Sequence, residues 1–119
     1  MKKGFRVSKS GSTWINAVAH KLRFHAAIPD DLIKAFDYYD EVSLRLADRF
    51  RKGVDQRLND IAKNPEVFPF DISPIRFAKI DRFPYLIIFT LASNLIYILA
   101  IVHGASDSSK WRDRTSERD

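Results

Sequence analysis

Residues 84–102 read PYLIIFTLASNLIYILAIV, nineteen positions without a charged side chain. That length approaches the roughly 20 apolar residues a membrane-spanning helix needs. However, Ala92-Ser93-Asn94 interrupts the run, and Ile, Val, Phe and Tyr crowd both sides of the break. Branched and aromatic side chains favour a pleated strand, and Ser-Asn suits a tight turn. The stretch therefore reads as two buried strands joined by a hairpin turn, and membrane insertion is not expected.

Working upstream, Ile75–Ile80 forms a third strand, with Arg76 and Lys79 on opposite faces, and Asp81-Arg82 begins the turn out of it. Residues 66–74 carry Pro69, Asp71, Ser73 and Pro74, a loop composition. Asn64-Pro65 ends a long helix, because proline disfavours helical backbone at the residue before it. Ser43 caps that helix, and its apolar stripe is Leu46, Ala47, Phe50, Val54, Leu58 and Ile61. Gly53, in its middle, predicts close approach of the neighbouring helix. A first helix starts after Pro29, with Asp30 and Asp31 capping amides and matching the dipole. Leu32, Ile33, Phe36 and Tyr39 form its stripe through about Asp40. Two helices so closely joined fold back as an antiparallel pair. Leu22–Ala26 alternates as a short strand. Downstream, residues 103–107 form a loop, and Trp111–Arg118 suggests a short terminal helix.

The order is strand, helix, helix, then three strands and a short C-terminal segment. It predicts an α+β domain: an antiparallel β-sheet covered on one face by an N-terminal helical hairpin. At 119 residues the chain has room for one such domain. It has no cysteine, which removes disulfides, thiolate metal sites and a cysteine nucleophile. The net charge of +5 is unevenly placed. Lys2, Lys3, Arg6, Lys9, Lys21 and Arg23 face no acid up to residue 23, leaving 14 basic against 15 acidic side chains in the rest. Residues 1–21 accordingly read as a flexible basic extension, either a plain tail or an arm for nucleic acid or anionic lipid. Residues 22–119 read as the folded domain.

No phosphate-binding glycine loop or serine elbow is present. The histidines at 20, 25 and 103 lack metal-ligand spacing, so neither metal nor cofactor is expected. Asp30, Asp31, Asp37, Asp40 and Glu41 read as capping or solvated carboxylates. Arg45, Arg49, Arg51, Lys52 and Arg57, interspersed with Asp48 and Asp55, read as a paired helix face. One constellation remains: Arg76, Lys79, Arg82, His103, Trp111, Arg112 and Arg114. Cations beside an aromatic are what phosphate neutralisation and base stacking require. Equally, Trp111 can close the core and the arginines can bind carboxylates.

FHAAIPDDLIKAFDYYDEVSLRLADRF (24–50), IAKNPEVFP (61–69), IRFAKIDRFPYLIIF (75–89) and IYILAIVHG (96–104), followed by Trp111 and Arg114, resemble the RelE/ParE superfamily of type II toxin–antitoxin toxins. The resemblance spans about Arg23 to Arg114 and implies the same helical hairpin on an antiparallel sheet. It implies a cytoplasmic toxin neutralised by a cognate antitoxin. That antitoxin would lay a helix over the Asp30–Ile61 hairpin, at Phe36, Tyr39, Phe50 and Val54, and an extended segment along a sheet edge.

RelE-like members are ribosome-dependent mRNA endoribonucleases, and ParE-like members poison DNA gyrase by binding. Under the nuclease reading Arg76, Lys79, Arg82 and His103 are catalytic. Under either, Arg76, Lys79, Arg82, Trp111 and Arg114 contact the target or RNA. Lys79 matches a catalytic lysine of the nucleases. Leu86 replaces an arginine, Gly104-Ala105-Ser106-Asp107 lacks an expected basic residue, and Trp111 replaces a tyrosine. Each missing charge-stabilising donor is worth on the order of 3 kcal/mol of barrier. The expectation is a ParE-like toxin acting by binding, with nucleic acid involved only indirectly. An mRNA endoribonuclease is the first alternative, and an inactive member kept as an interaction module is the second.

Overall fold

The computed structural model describes residues 21–105, 109–112 and 114. The chain runs β1 (Lys21–Phe24), α1 (Ile28–Val42), α2 (Leu44–Lys63), a 3-10 turn (Pro65–Val67), β2 (Phe70–Ile72), β3 (Ile75–Lys79), β4 (Tyr85–Ala92), β5 (Leu95–His103) and α3 (Ser109–Arg112). The strands form one sheet in the order β1-β5-β4-β3-β2. The expected α+β class and element order hold. The uncharged run over 84–102 is the β4–β5 hairpin, and Ser93 turns it with φ 55°. Among the described residues, no helix is long and apolar enough to cross a membrane.

The sheet differs from the expected antiparallel one in two places. β1 lies parallel to β5, with Leu22 opposite Ile96 and Phe24 opposite Ile98. The helical hairpin carries the chain back across the sheet, so β1 and β5 point the same way. Within the supposed loop over 66–74, Phe70–Ile72 adds a short strand to the edge of β3. Three exposed residues leave no burial pattern to read. The basic extension, apart from Lys21, lies outside the described residues, as does His20. The described part of the C-terminal helix is Ser109–Arg112, and residues 106–108, 113 and 115–119 lie outside the described residues.

The hairpin turns at a single residue. Ser43 is extended and its hydroxyl accepts from Leu46 N at 3.1 Å, the expected N-cap of α2. The inner core lies between hairpin and sheet. Leu32, Ala35, Tyr39, Phe50, Val54, Leu58 and Ile61 meet Ile80, Ile87, Phe89, Ile96, Ile98 and Ile101 there. Ile33, assigned to the apolar stripe, is exposed. The buried face of α1 steps through Leu32, Ala35 and Tyr39, and Ile33 falls outside it. Gly53 makes room for the sheet side and not for the neighbouring helix: a Cβ there would sit 3.0 Å from Ile80 Cγ2. The other sheet face has its own cluster, where Ile88, Leu99 and Ala100 are covered by Trp111.

A bulge in β5 links the two layers. Ile88 pairs with Ala100 but Phe89 with Ile98, so Leu99 is the extra residue. β1 has ended by this point, with His25 N bonding Ile98 O at 2.9 Å. The edge of β5 beyond it would otherwise be open. Asp31 Oδ2 accepts from Ile101 N at 3.0 Å, and Arg114 Nη1 donates to Leu99 O at 3.0 Å. Arg114 also donates to both Asp31 oxygens, at 2.9 and 3.3 Å. Asp31 is therefore no helix cap: the N-cap position is Ala27 and has no side-chain bond. The carboxylate fastens α1 to the bulge and to the C-terminal segment.

Candidate functional site

The basic constellation divides once placed on this frame. Arg76 and Ala78 alternate onto the helix-covered face of β3, whereas Phe77 and Lys79 face the other way. Arg76 Nη1 donates to Phe68 O at 2.6 Å and Glu66 O at 3.3 Å, and its guanidinium lies 4.0 Å from the Phe70 ring centre. That arginine holds the 3-10 turn and β2 against β3. Trp111 is 4% exposed and packs on the outer sheet face. Its ring lies within the cluster of Ile88, Leu99 and Ala100 and closes the outer layer of the core. Arg114 is spent in the clamp on Asp31. Arg112 Nη2 pairs with Asp71 at 3.3 Å, tying the C-terminal segment to β2.

Lys79, Arg82 and His103 gather at one end of the sheet. The β3–β4 turn closes through Ile80 N to Tyr85 O at 2.9 Å and Phe83 N to Ile80 O at 3.1 Å. Lys79 Nζ braces it, donating to Phe83 O at 3.1 Å and Ile80 O at 3.4 Å. Gly104 N donates to Pro84 O at 2.7 Å and stitches the end of β5 to the same turn. His103 is exposed there, its ring 5.4 Å from Tyr85 and its Nδ1 accepting from Ala105 N at 3.0 Å. Arg82 occupies the left-handed region at φ 71°, with its side chain 84% exposed. A non-glycine residue there costs roughly 1–2 kcal/mol.

An aromatic group underlies this end. Tyr39 stacks near Phe50, Phe83 and Tyr85 at centroid separations of 5.0, 5.1 and 6.0 Å. Burial pushes the Tyr39 phenol above its usual 10.0, and Tyr85 and Tyr38 add to the effect. Burial also raises Tyr85, with Tyr38 contributing. Tyr39, Phe50 and Val54 are enclosed between hairpin and sheet, and Phe36 is half-buried. Of the four expected antitoxin contacts, only Phe36 reaches the surface in this fold. What the hairpin presents outward is Ile33, Tyr38, Val42 and Leu44. Tyr38 and Tyr39 are adjacent in α1, and neighbouring helical residues point about 100° apart, so Tyr39 enters the core and Tyr38 faces outward.

The helix α2 charges behave as a solvated face. Asp48 pairs with Lys52 at 3.2 Å and approaches Arg51 at 4.0 Å, and Arg57 pairs with Asp60 at 3.1 Å. Asp55 is raised above its usual value by burial, against the lowering effect of Arg51.

Residues 22–108 match the family described as "ParE toxin of type II toxin-antitoxin system, parDE". Proteins named Toxin ParE2 from two Mycobacterium tuberculosis strains, CDC 1551 / Oshkosh and ATCC 25618 / H37Rv, are each 30% identical over 102 residues. These alignments cover 85% of this chain and 97% of each relative. A solved chain of the chromosomal ParDE TA system from P. aeruginosa shares the fold, with a TM-score of 0.61 and 18% identity, over 71% of this chain and 96% of that one. With helices and sheet in the expected order and the match spanning most of the folded body, the chain belongs to the ParE toxin family of type II toxin–antitoxin systems.

Proposed function

We propose that this toxin arrests growth by binding and inhibiting DNA gyrase, without cutting RNA, and that a cognate antitoxin neutralises it. The observation that carries the reading is that two of the four candidate nuclease side chains, Arg76 and Lys79, and two of the candidate RNA contacts, Trp111 and Arg114, are engaged in the fold, while Arg82 and His103 stay exposed. Arg76 serves two backbone carbonyls, Lys79 braces a turn, Arg114 closes the bulge and Trp111 is core. RNA cleavage needs cations converging on one phosphate, each worth on the order of 3 kcal/mol in the transition state. Arg76 and Lys79 project from opposite faces of one strand, and Leu86 supplies no charge where nuclease-type relatives carry arginine. The ParE names of the relatives support the same side of the superfamily.

Induced expression in a bacterial host, with and without the antitoxin encoded beside it, tests this. The expected result is growth arrest with intact transcripts and a DNA-damage response, reversed by the antitoxin. Codon-positioned mRNA cuts would overturn it in favour of the endoribonuclease. Unchanged growth would favour the interaction module.

A further inference from the structure

The β3–β4 turn presents its most exposed cation from a backbone position that an arginine adopts only at a cost. Arg82 sits at φ 71°, where glycine or asparagine is at ease. The turn is nevertheless held firmly by two backbone hydrogen bonds within it, by Lys79 beneath it and by Gly104 from the side. Arg82 Nε lies 3.9 Å from Asp81 Oδ2, beyond hydrogen-bond distance, so its planar donors remain available. Beside the turn, Phe83 contacts Tyr39 and Tyr39 contacts Tyr38, a residue 58% exposed. An exposed arginine on a firmly held turn, next in sequence to an aromatic group that ends in an exposed tyrosine, has the composition of a protein-binding hot spot.

We propose that Arg82 is the anchoring contact through which the toxin grips its protein target, donating a forked pair of hydrogen bonds to a carboxylate there. Lys79 is the positioning residue that holds the turn. The proposal rests on the binding-toxin reading and names the contact that reading needs. A guanidinium matches a carboxylate in plane, with two parallel N–H donors. A protein carboxylate is favoured over a nucleic-acid phosphate because Asp81 stands beside Arg82, and Arg76 and Arg114 are engaged elsewhere. Among the described residues, the neighbouring Lys79 ammonium is engaged with the Ile80 and Phe83 carbonyls, so Arg82 lacks the cluster of free cations that backbone phosphates require.

The test expresses the full chain and its Arg82→Asn, Arg82→Gly, Arg82→Lys and Lys79→Met variants from an inducible promoter. Surviving colonies are counted, thermal unfolding of the purified proteins is followed, and capture by the immobilised cognate antitoxin is measured. Arg82→Asn and Arg82→Gly should melt at or above the wild-type temperature, keep antitoxin capture within twofold and lose at least tenfold in killing. Arg82→Lys should recover part of the killing, since an ammonium keeps the charge without the fork. Lys79→Met should lose killing while still melting cooperatively. Arg82→Asn killing within twofold of wild type overturns the contact alone, and so does a fall in melting temperature for both Arg82→Asn and Arg82→Gly. Codon-positioned mRNA cuts by the wild type would assign Arg82 to RNA and overturn the protein carboxylate. A wild type that leaves growth unchanged overturns the toxin reading together with this one.

Discussion

Replacing Asp31 by alanine should be among the most damaging single changes in the molecule, although sequence alone makes it a helix-end carboxylate. Its side chain is 9% exposed and that of Arg114 is 17% exposed. Asp31→Ala removes the acceptor of Ile101 N and both carboxylate contacts of Arg114, leaving only the Leu99 carbonyl to the guanidinium. Breaking a buried ion pair by removing one partner costs about 3–5 kcal/mol. The exposure of Arg114 tempers this, because water can reach part of the guanidinium, so about 3 kcal/mol is expected. A domain of this size has roughly 5–15 kcal/mol in total. At ~4–8 °C per kcal/mol, the midpoint should fall by about 12–24 °C.

Arg114→Met should cost a similar amount, since it leaves Asp31 with only the Ile101 amide. The double variant Asp31→Ala/Arg114→Met should cost clearly less than the sum, by at least about 1.5 kcal/mol, because neither charge is then stranded. Urea unfolding of the four proteins measures the cycle. A loss below about 1 kcal/mol for Asp31→Ala, or single effects that simply add, would refute the clamp.

Other consequences follow from the aromatic end and the C-terminal cap. Burial raises the phenols of Tyr39 and Tyr85 in the folded state, so the unfolded chain ionises first as pH rises. Their contribution is fully present below pH ~10 and lost as pH climbs through the raised folded values. Tyr39→Phe or Tyr85→Phe should therefore make the alkaline fall in melting temperature shallower, while leaving its slope near neutrality unchanged. Trp111→Ala should cost about 3–5 kcal/mol by uncovering Ile88, Leu99 and Ala100, read by denaturant unfolding. A loss under about 1 kcal/mol would place Trp111 outside the core.

Much of the architecture is legible in the sequence because burial imposes periodicity. The α2 stripe, the Ser43 cap and the β4–β5 hairpin all follow from spacing and turn chemistry. The parallel β1 is not legible, since four residues state no direction for the strand they join. β2 is hidden for a related reason: its residues are all exposed, and only the edge of β3 makes them a strand. The candidate cations were identifiable by type but not by duty. A guanidinium looks the same in sequence whether it meets a phosphate, a carbonyl oxygen or a carboxylate 83 positions away, as Arg114 does. The bulge at Leu99 creates that duty, and bulges leave little trace in a run of Ile, Leu and Ala.

Residues 1–23 carry six basic side chains and no acidic one, two of them, Lys21 and Arg23, in β1, and residues 24–119 carry 14 basic against 15 acidic. The proposed grip on gyrase rests on one end of the sheet, where Arg82 is exposed. Gyrase inhibition is tested most directly by purified DNA gyrase supercoiling a relaxed plasmid in the presence of the purified toxin, without ribosomes. Supercoiling should be lost as toxin is added and restored when its antitoxin is supplied. Full supercoiling at a large excess of toxin, from a preparation that cuts mRNA on translating ribosomes, would contradict it.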